Sequence, residues 1–379
     1  MIDTGFLELC RNEETDLLLT LERLVHLPSP STEKSYVDRL VDLVAARLAE
    51  SAIEPRLEKR TAVGNPVWGE WAPAQPEGRI LVLCHLDTVW PADAEQRNPF
   101  RAVDGKVYGP GILDMKASVA FTFKVQEFLA RQVIRPRKAV RFLYTTDEET
   151  GSLESRKLIE DFARESNLAL VLEPALPGGG LKTSRKGSGI YEIEVIGRPA
   201  HAGLEPEKGI NSIEEMALQI AEIKQLANPG KGTTITFTLI QGGTACNVVP
   251  DRCKASIDVR FRKPDEGHRV DSALKSRQAF IPGADVRVTG DIDRPPMLRG
   301  PRMDEIFQAA RKIAAELGIE LWEGETGGGS DGNFTAALGI PTLDGLGAEG
   351  AGAHTWDEHI FQDSLVPRLA LLARLIERL

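Results

Sequence analysis

Apolar residues recur at helical spacing from Glu13 to His26 and again from Ser35 to Ser51, where Leu40, Val44 and Leu48 share one face. Two amphipathic helices are therefore predicted to open the chain. Short apolar runs of strand length follow at Ile80 to Cys84, Val140 to Tyr144 and Ala169 to Leu172. Helical patterns near Ala117 to Arg131 and Leu153 to Glu165 lie between them. This alternation is βαβ grammar, and it predicts an α/β domain built on a parallel or mixed sheet.

The pattern changes near Pro177-Gly178-Gly179-Gly180. From Ile190 to Gly290 the order becomes strand, helix, strand, strand, helix, strand, which predicts an inserted α+β domain. Its elements are Tyr191 to Val195, a helix from Ser212 to Leu226, strands at Thr234 to Ile240 and Ser256 to Phe261, and a closing strand at Val286 to Thr289. After Arg294-Pro295-Pro296 a helix is expected from Asp304 to Leu317. Strands near Ile319 to Trp322 and Pro341 to Leu343 follow, then a long final helix. The expected division is residues 1–183, an insertion at 184–294, and a return to the first domain at 295–379.

At 379 residues the chain is long for one domain, in keeping with that division. Its 46 Lys plus Arg against 56 Asp plus Glu give a net charge of -10, which disfavours nucleic acid and anionic membrane as partners. Cys10, Cys84, Cys246 and Cys253 lie far apart with no CxxC pair, so neither a disulfide scaffold nor a thiolate zinc site is expected. With no leader-like or membrane-spanning apolar stretch, the sequence reads as a soluble cytoplasmic protein.

The chemistry is concentrated where predicted strands end. His85 and Asp87 close the first strand of the sheet, and Asp114 follows a glycine turn in Gly109-Pro110-Gly111-Ile112-Leu113-Asp114. Glu148-Glu149 follow the second strand and Glu173 the third, while His354 stands far away in Gly350-Ala351-Gly352-Ala353-His354. Open α/β sheets place their sites beyond such strand ends. Imidazoles and carboxylates suit borderline and hard divalent cations, and five such ligands suit two ions sharing one carboxylate. Of the adjacent glutamates, Glu149 is assigned as ligand and Glu148 as the base that a metal-activated water requires. His359 is a rival to His354, but it stands beside Asp357 and Glu358 in what reads as the start of a helix.

Taken together, HLDT at 85–88, GPGILDMK at 109–116, DEE at 147–149, EP at 173–174, GRPAHAG at 197–203 and GAH at 352–354 resemble the M20 metallopeptidase family. The likeness is strongest to its glutamate carboxypeptidase and acetylornithine deacetylase-like members. It implies a zinc-peptidase-like three-layer catalytic domain with a mixed sheet, plus an inserted ferredoxin-like lid through which the protein dimerises. It implies two zinc ions bridged by Asp114, with His85 and Glu173 on one and Glu149 and His354 on the other. Glu148 matches the general base, Asp87 the carboxylate that orients the histidine ligand, and the Asp114-Met115 peptide would be cis. Glu173, rather than Asp, matches the carboxypeptidases and N-acyl amino acid deacylases of the family.

By the same resemblance His201 would stabilise the oxyanion in the partner subunit's active site, and Asn247 and Arg260 would lie near substrate. Arg294 would bind a substrate carboxylate, and the backbone of the glycine-rich loop at Gly328 and Gly329 would approach the substrate. The expected activity is release of a C-terminal amino acid, glutamate above others, from a peptidyl or N-acyl group. A deacylase of acetylornithine or succinyl-amino acid type is the alternative. Two further readings differ in class. Gly328-Gly329-Ser330-Asp331-Gly332 fits G-x-S-x-G, so Ser330 with Asp344 and His354 or His359 would make a serine hydrolase. A non-catalytic binding protein would need no base at Glu148.

Overall fold

Strand side chains alternate between the two faces of a sheet, so a strand buried on both sides must be apolar throughout. That is very nearly the composition of Arg79–His85, Ala139–Thr145 and Leu168–Val171, adjacent strands of a six-stranded sheet in the computed structural model, which describes residues 2–379; the mid-strand exception, Arg141, is held by Glu70 at 2.7 Å and Glu165 at 2.8 Å. The order is Arg56–Leu57, Val67–Trp71, Ala139–Thr145, Arg79–His85, Leu168–Val171 and Thr342–Leu343. The last four strands run parallel, and Val67–Trp71 pairs antiparallel with Ala139–Thr145. On one face Leu81, Leu83, Leu143 and Val171 pack with Ile159, Phe162 and Phe334. On the other, Gln126 donates to the Tyr144 hydroxyl at 2.6 Å and that hydroxyl donates to Thr122 at 2.7 Å, which fixes the helix Ala117–Ala130 there. The outcome is the expected three-layer α/β architecture with a mixed sheet.

The chain divides into two units. The first runs through Ser184 and resumes at Arg299–Glu325 and Ser330–Leu379; the second comprises Arg185–Leu298 and Thr326–Gly329. In the second, a four-stranded antiparallel sheet has the order Thr234–Gly242, Arg252–Phe261, Gly187–Ile196, Asp285–Arg294. Helices Ser212–Lys224 and Pro264–Lys275 connect the strands as βαββαβ, the ferredoxin-like arrangement. Tyr191, Ile193, Val195, Met216, Ile223, Ile257, Val270 and Leu274 form its core, the inward positions of strands and helices together.

Several local expectations need correction. A third helix, Thr4–Asn12, precedes the two predicted ones, with the Asp3 side chain accepting from the Phe6 amide at its N-terminus. The run from Ile319 to Trp322 is not a strand; the acidic Glu323–Thr326 is. The charge of Glu323 is met there by Thr183 at 2.6 Å and Arg299 at 2.7 and 2.9 Å, so acidity does not prevent an extended backbone. His359 lies not at a helix start but in the strand His359–Phe361, which pairs with Lys106–Tyr108 in a small four-stranded sheet. Its run is too short to have registered as a strand pattern. Among the described residues no helix is long and apolar enough to cross a membrane.

Candidate metal centre

Because the central strands are parallel, their C-terminal ends fall on one edge of the sheet. His85 is the last residue of its strand, Glu148–Thr150 forms a short 3-10 turn beyond the neighbouring one, and Glu173 stands two residues past the end of the third. Asp114 is delivered by the bend Ile112–Lys116, whose Asp114-Met115 peptide is cis. Gly111 opens that bend at φ 68°, and a Cβ there would meet Thr88 Cγ2 at 2.6 Å, so both conformation and space require glycine. His354 arrives from the other end of the chain in the left-handed region, φ 62°, a conformation uncommon outside glycine that functional sites tend to keep.

These segments bring five candidate ligands into two triads that share Asp114. His85, Asp114 and Glu173 offer donor atoms all within 4.8 Å of one another, and so do Asp114, Glu149 and His354. His85 Nε2 is 3.0 Å from Asp114 Oδ1 and 3.6 Å from Glu173 Oε1; His354 Nε2 is 3.4 Å from Asp114 Oδ2 and 3.2 Å from Glu149 Oε2. The His85 side chain is 2% exposed and that of His354 is 48% exposed, so the second triad opens toward solvent.

The electrostatics show what the cluster lacks. Burial alone would push the His85 imidazole down, but its hydrogen bond and charge pairing with Asp114, aided by Glu148 and Asp87, hold it well above its ordinary value. Hydrogen bonds to Asp114 and Glu149 raise His354 to about 10. Burial works to raise Asp114, yet the two histidines hold its carboxyl well below the usual range, while burial keeps Glu149 raised. The carboxylates thus draw positive charge onto both imidazoles. In addition, Glu149 Oε1 is buried without a hydrogen-bond partner. A carboxylate oxygen in that position is costly unless a cation meets it. The donor set and this orphaned oxygen together fit a pair of divalent ions. A third acidic group, Glu13, Asp16 and Glu127, does not, because Lys124 already lies 3.1 Å from Glu13 and 2.9 Å from Glu127 and contacts Asp16.

Asp87 does something the sequence did not reveal. His85 Nδ1 pairs with the Asp87 main-chain carbonyl at 2.9 Å, whereas the carboxylate is 3.7 Å away, beyond hydrogen-bonding distance. The buried carboxylate instead accepts from Ser31 Oγ at 2.8 Å and from the amides of Glu148 and Glu149, both at 3.2 Å. Residue 87 therefore orients the imidazole through its backbone and holds the glutamate turn through its side chain. Two partners escaped sequence reasoning. One is Ser31. The other is Glu358, buried in full, whose carboxylate accepts from Trp90 and from three amides of the Asp114 bend.

The remaining sequence candidates belong to the second unit. His201 pairs with Val248 on the short ladder that also pairs Ala200 with Val249, and just beyond it the Asn247 carbonyl accepts from the Ala202 amide at 2.9 Å. His201 is exposed, and its Nδ1 accepts from the Gly203 amide at 3.1 Å. Arg260 is engaged by Asp258 at 2.7 to 3.1 Å. Arg294 is 4% exposed and 3.9 Å from Asp293. The carbonyls of Gly328 and Gly329 accept from Arg185 at 3.0 and 2.9 Å.

The serine hydrolase geometry is not formed. Ser330 is fully buried and donates to Asp344 at 2.6 Å, while His354 belongs to the carboxylate triad and His359 Nδ1 lies 2.7 Å from the Asp357 carbonyl. A nucleophile elbow would expose its serine hydroxyl.

A three-layer α/β fold whose sheet edge gathers two histidine–carboxylate triads sharing one aspartate is the geometry of a metal-dependent hydrolase. The sequence pattern of "Peptidase family M20/M25/M40" matches residues 81–378, and the chain belongs to that family; it is a metal-dependent hydrolase of the M20 type. Over 381 residues it is 27% identical to carboxypeptidase G2 of Pseudomonas sp. (strain RS-16), covering 99% of this chain and 92% of that protein. It is 31% identical over 339 residues to the succinyl-diaminopimelate desuccinylase of Dechloromonas aromatica (strain RCB), covering 83% and 87%. Among solved structures, aminopeptidase PepT of Bacillus cereus shares the fold with a TM-score of 0.77 at 22% identity, covering 96% of this chain and 98% of that one. A dinuclear metal binding M20 peptidase of Bacillus subtilis shares it with a TM-score of 0.69 at 16% identity, covering 97% and 98%.

Proposed function

We propose that this chain is a two-zinc carboxypeptidase that releases a C-terminal amino acid, glutamate above others, from a peptidyl or N-acyl group. The observation that carries this reading is Asp114 standing between two ligand triads with Glu148 on the adjoining turn. Two divalent cations in those triads would lower the pKa of a bound water and polarise the scissile carbonyl. Glu148 takes the proton of the attacking water on its carboxylate and hands it to the leaving nitrogen. Asp87 keeps Glu148 in place through the Glu148 amide. In His201 the amide bond to Nδ1 assigns the ring proton to Nε2, which makes Nε2–H a donor for charge developing on the carbonyl oxygen. That donor would come from His201 of the partner subunit. The exposed edge strand Thr234–Gly242, with Leu239 and Ile240 open to solvent, is a surface on which two copies could pair.

The buried guanidinium of Arg294 suits the carboxylate of the leaving residue, and likeness to carboxypeptidase G2 along nearly the whole chain supports that class. Likeness to a desuccinylase supports a second reading, an N-acyl amino acid deacylase whose substrate also presents a carboxylate. Initial rates on N-acyl-glutamates, N-acyl-ornithine, succinyl-amino acids and dipeptides separate the two. For a glutamate carboxypeptidase, acyl-glutamates are turned over fastest, and Arg294→Ala raises their KM by about 10- to 100-fold, as expected for losing a charge-assisted pair. Equal losses on neutral and acidic leaving residues would remove the glutamate assignment.

A further inference from the structure

Beyond the five ligands and the base, one buried carboxyl group ties the site together. The strand pairing that sets His359 opposite Tyr108 also brings Glu358 beside the loop that begins at Gly109. There the Glu358 carboxylate is fully occupied. Its Oε2 accepts from Trp90 Nε1 at 2.6 Å and the Gly111 amide at 2.9 Å, and its Oε1 accepts from the amides of Leu113 at 2.9 Å and Asp114 at 3.1 Å. Three successive segments thereby converge on one side chain: the loop after Asp87, the bend that carries Asp114, and the loop that carries His354 four residues earlier in the chain.

A buried carboxylate is stable only when hydrogen-bonded, and buried amides likewise need acceptors. Within the bend, the Ile112 and Lys116 amides are met by the Gly109 and Gly111 carbonyls, while those of Gly111, Leu113 and Asp114 are met by Glu358. A shift of the backbone at Asp114 would break the bond from its own amide to Oε1. We infer that Glu358 is a positioning residue for the metal centre, fixing the bend so that Asp114 stands between both ligand triads. It touches neither substrate nor reacting atoms. This inference rests on the proposed two-metal reading of the site.

Glutamine is nearly isosteric with glutamate, but its amide nitrogen would face two N–H donors in place of an oxygen. Glu358→Gln is thus expected to fold, by far-UV circular dichroism and by melting of chelator-treated protein. Metal affinity measured by competition with a chromophoric chelator is expected to fall about 10- to 100-fold, the usual effect of losing a group that orients ligands. The visible bands of the cobalt-substituted protein should shift, and kcat should fall with KM little changed. Trp90→Phe removes one donor of four and leaves the carboxyl group, so it should move the same readouts in the same direction but less; it serves as the test if Glu358→Gln does not fold. Wild-type metal affinity and cobalt bands in a folded variant would overturn the positioning role. So would losses that track the melting of chelator-treated protein alone. If wild-type protein itself takes up no pair of cations, the two-metal reading fails instead, which keeps the two failures apart.

Discussion

The Asp87 carboxylate accepts the Glu148 amide at 3.2 Å, so the proposed base is anchored by its own backbone to the strand end that supplies His85. The adjacent Glu149 amide binds the other oxygen of the same carboxylate, also at 3.2 Å. One buried aspartate thus sets the position of a base and a ligand together. Burial raises the Asp87 carboxyl, and the Ser31 hydroxyl with the two amides offsets part of that shift.

Two substitutions should separate holding from chemistry. Glu148→Gln keeps the turn and the metals and is expected to lower kcat by about 100- to 10,000-fold, the range for general acid–base catalysis. Asp87→Ala leaves the Glu148 and Glu149 amides without their acceptor, at a cost of about 1–3 kcal/mol for each unpaired group, while the Ser31 hydroxyl keeps the Thr88 carbonyl at 3.1 Å. It should lower both the melting temperature and metal content, which Glu148→Gln should not. Paired measurements of kcat, metal content and melting check this. A Glu148→Gln enzyme with near-normal turnover would remove its role as base.

The main architecture was legible because buried parallel strands write themselves as short, predominantly apolar runs. Ile80 to Cys84 and Val140 to Tyr144, broken only by Arg141, fall within the observed strands, and residues just past such ends are few enough to single out His85, Glu148 and Glu173. The ferredoxin-like insertion was legible for a similar reason, its strand Gly187–Ile196 alternating buried and exposed residues. What stayed hidden was made by tertiary pairing. Glu358 reads as an ordinary acidic neighbour of His359 until the three-residue pairing with Lys106–Tyr108 buries it. Ser31 contacts Asp87 across 56 positions, and no local pattern encodes that separation. The same holds for Asp331, which accepts from Thr145 at 2.9 Å and from Ser152 at 2.5 Å inside a motif that reads as a nucleophile loop.

Ser330 offers a direct test against serine chemistry. Its hydroxyl bridges the Asp344 carboxylate, at 2.6 Å, and the Gly332 amide, at 3.1 Å, in the fully buried interior. Ser330→Ala should leave kcat within a few-fold of wild type while costing about 1–3 kcal/mol of stability, because Asp344 loses a donor without access to water. Chelator should abolish turnover and a fluorophosphonate should not. Covalent labelling of Ser330 with parallel loss of activity would contradict the metal-dependent mechanism.

Metal uptake should release protons in a pH-dependent way. With Asp114 and Glu149 raising His354 to about 10, this imidazole remains protonated through the neutral range in chelator-treated protein. A cation needs the neutral ring, so binding at pH 7–9 displaces that proton, and His85, also held above its ordinary value, should give up a second. Apparent affinity should therefore rise with pH, by roughly tenfold per unit for each proton displaced, and level off as pH passes the His354 value. The linkage for folding has the opposite sign. A raised imidazole stabilises the metal-free fold fully below its ordinary 6.5, and that contribution is lost as pH climbs through about 10. Chelator-treated protein should lose this contribution to its stability toward alkaline pH while metal affinity strengthens. Titration calorimetry in buffers of different ionisation enthalpy measures the proton count directly, and affinity that stays flat from pH 7 to 9 with no proton release would show that neither histidine is displaced from its carboxylates.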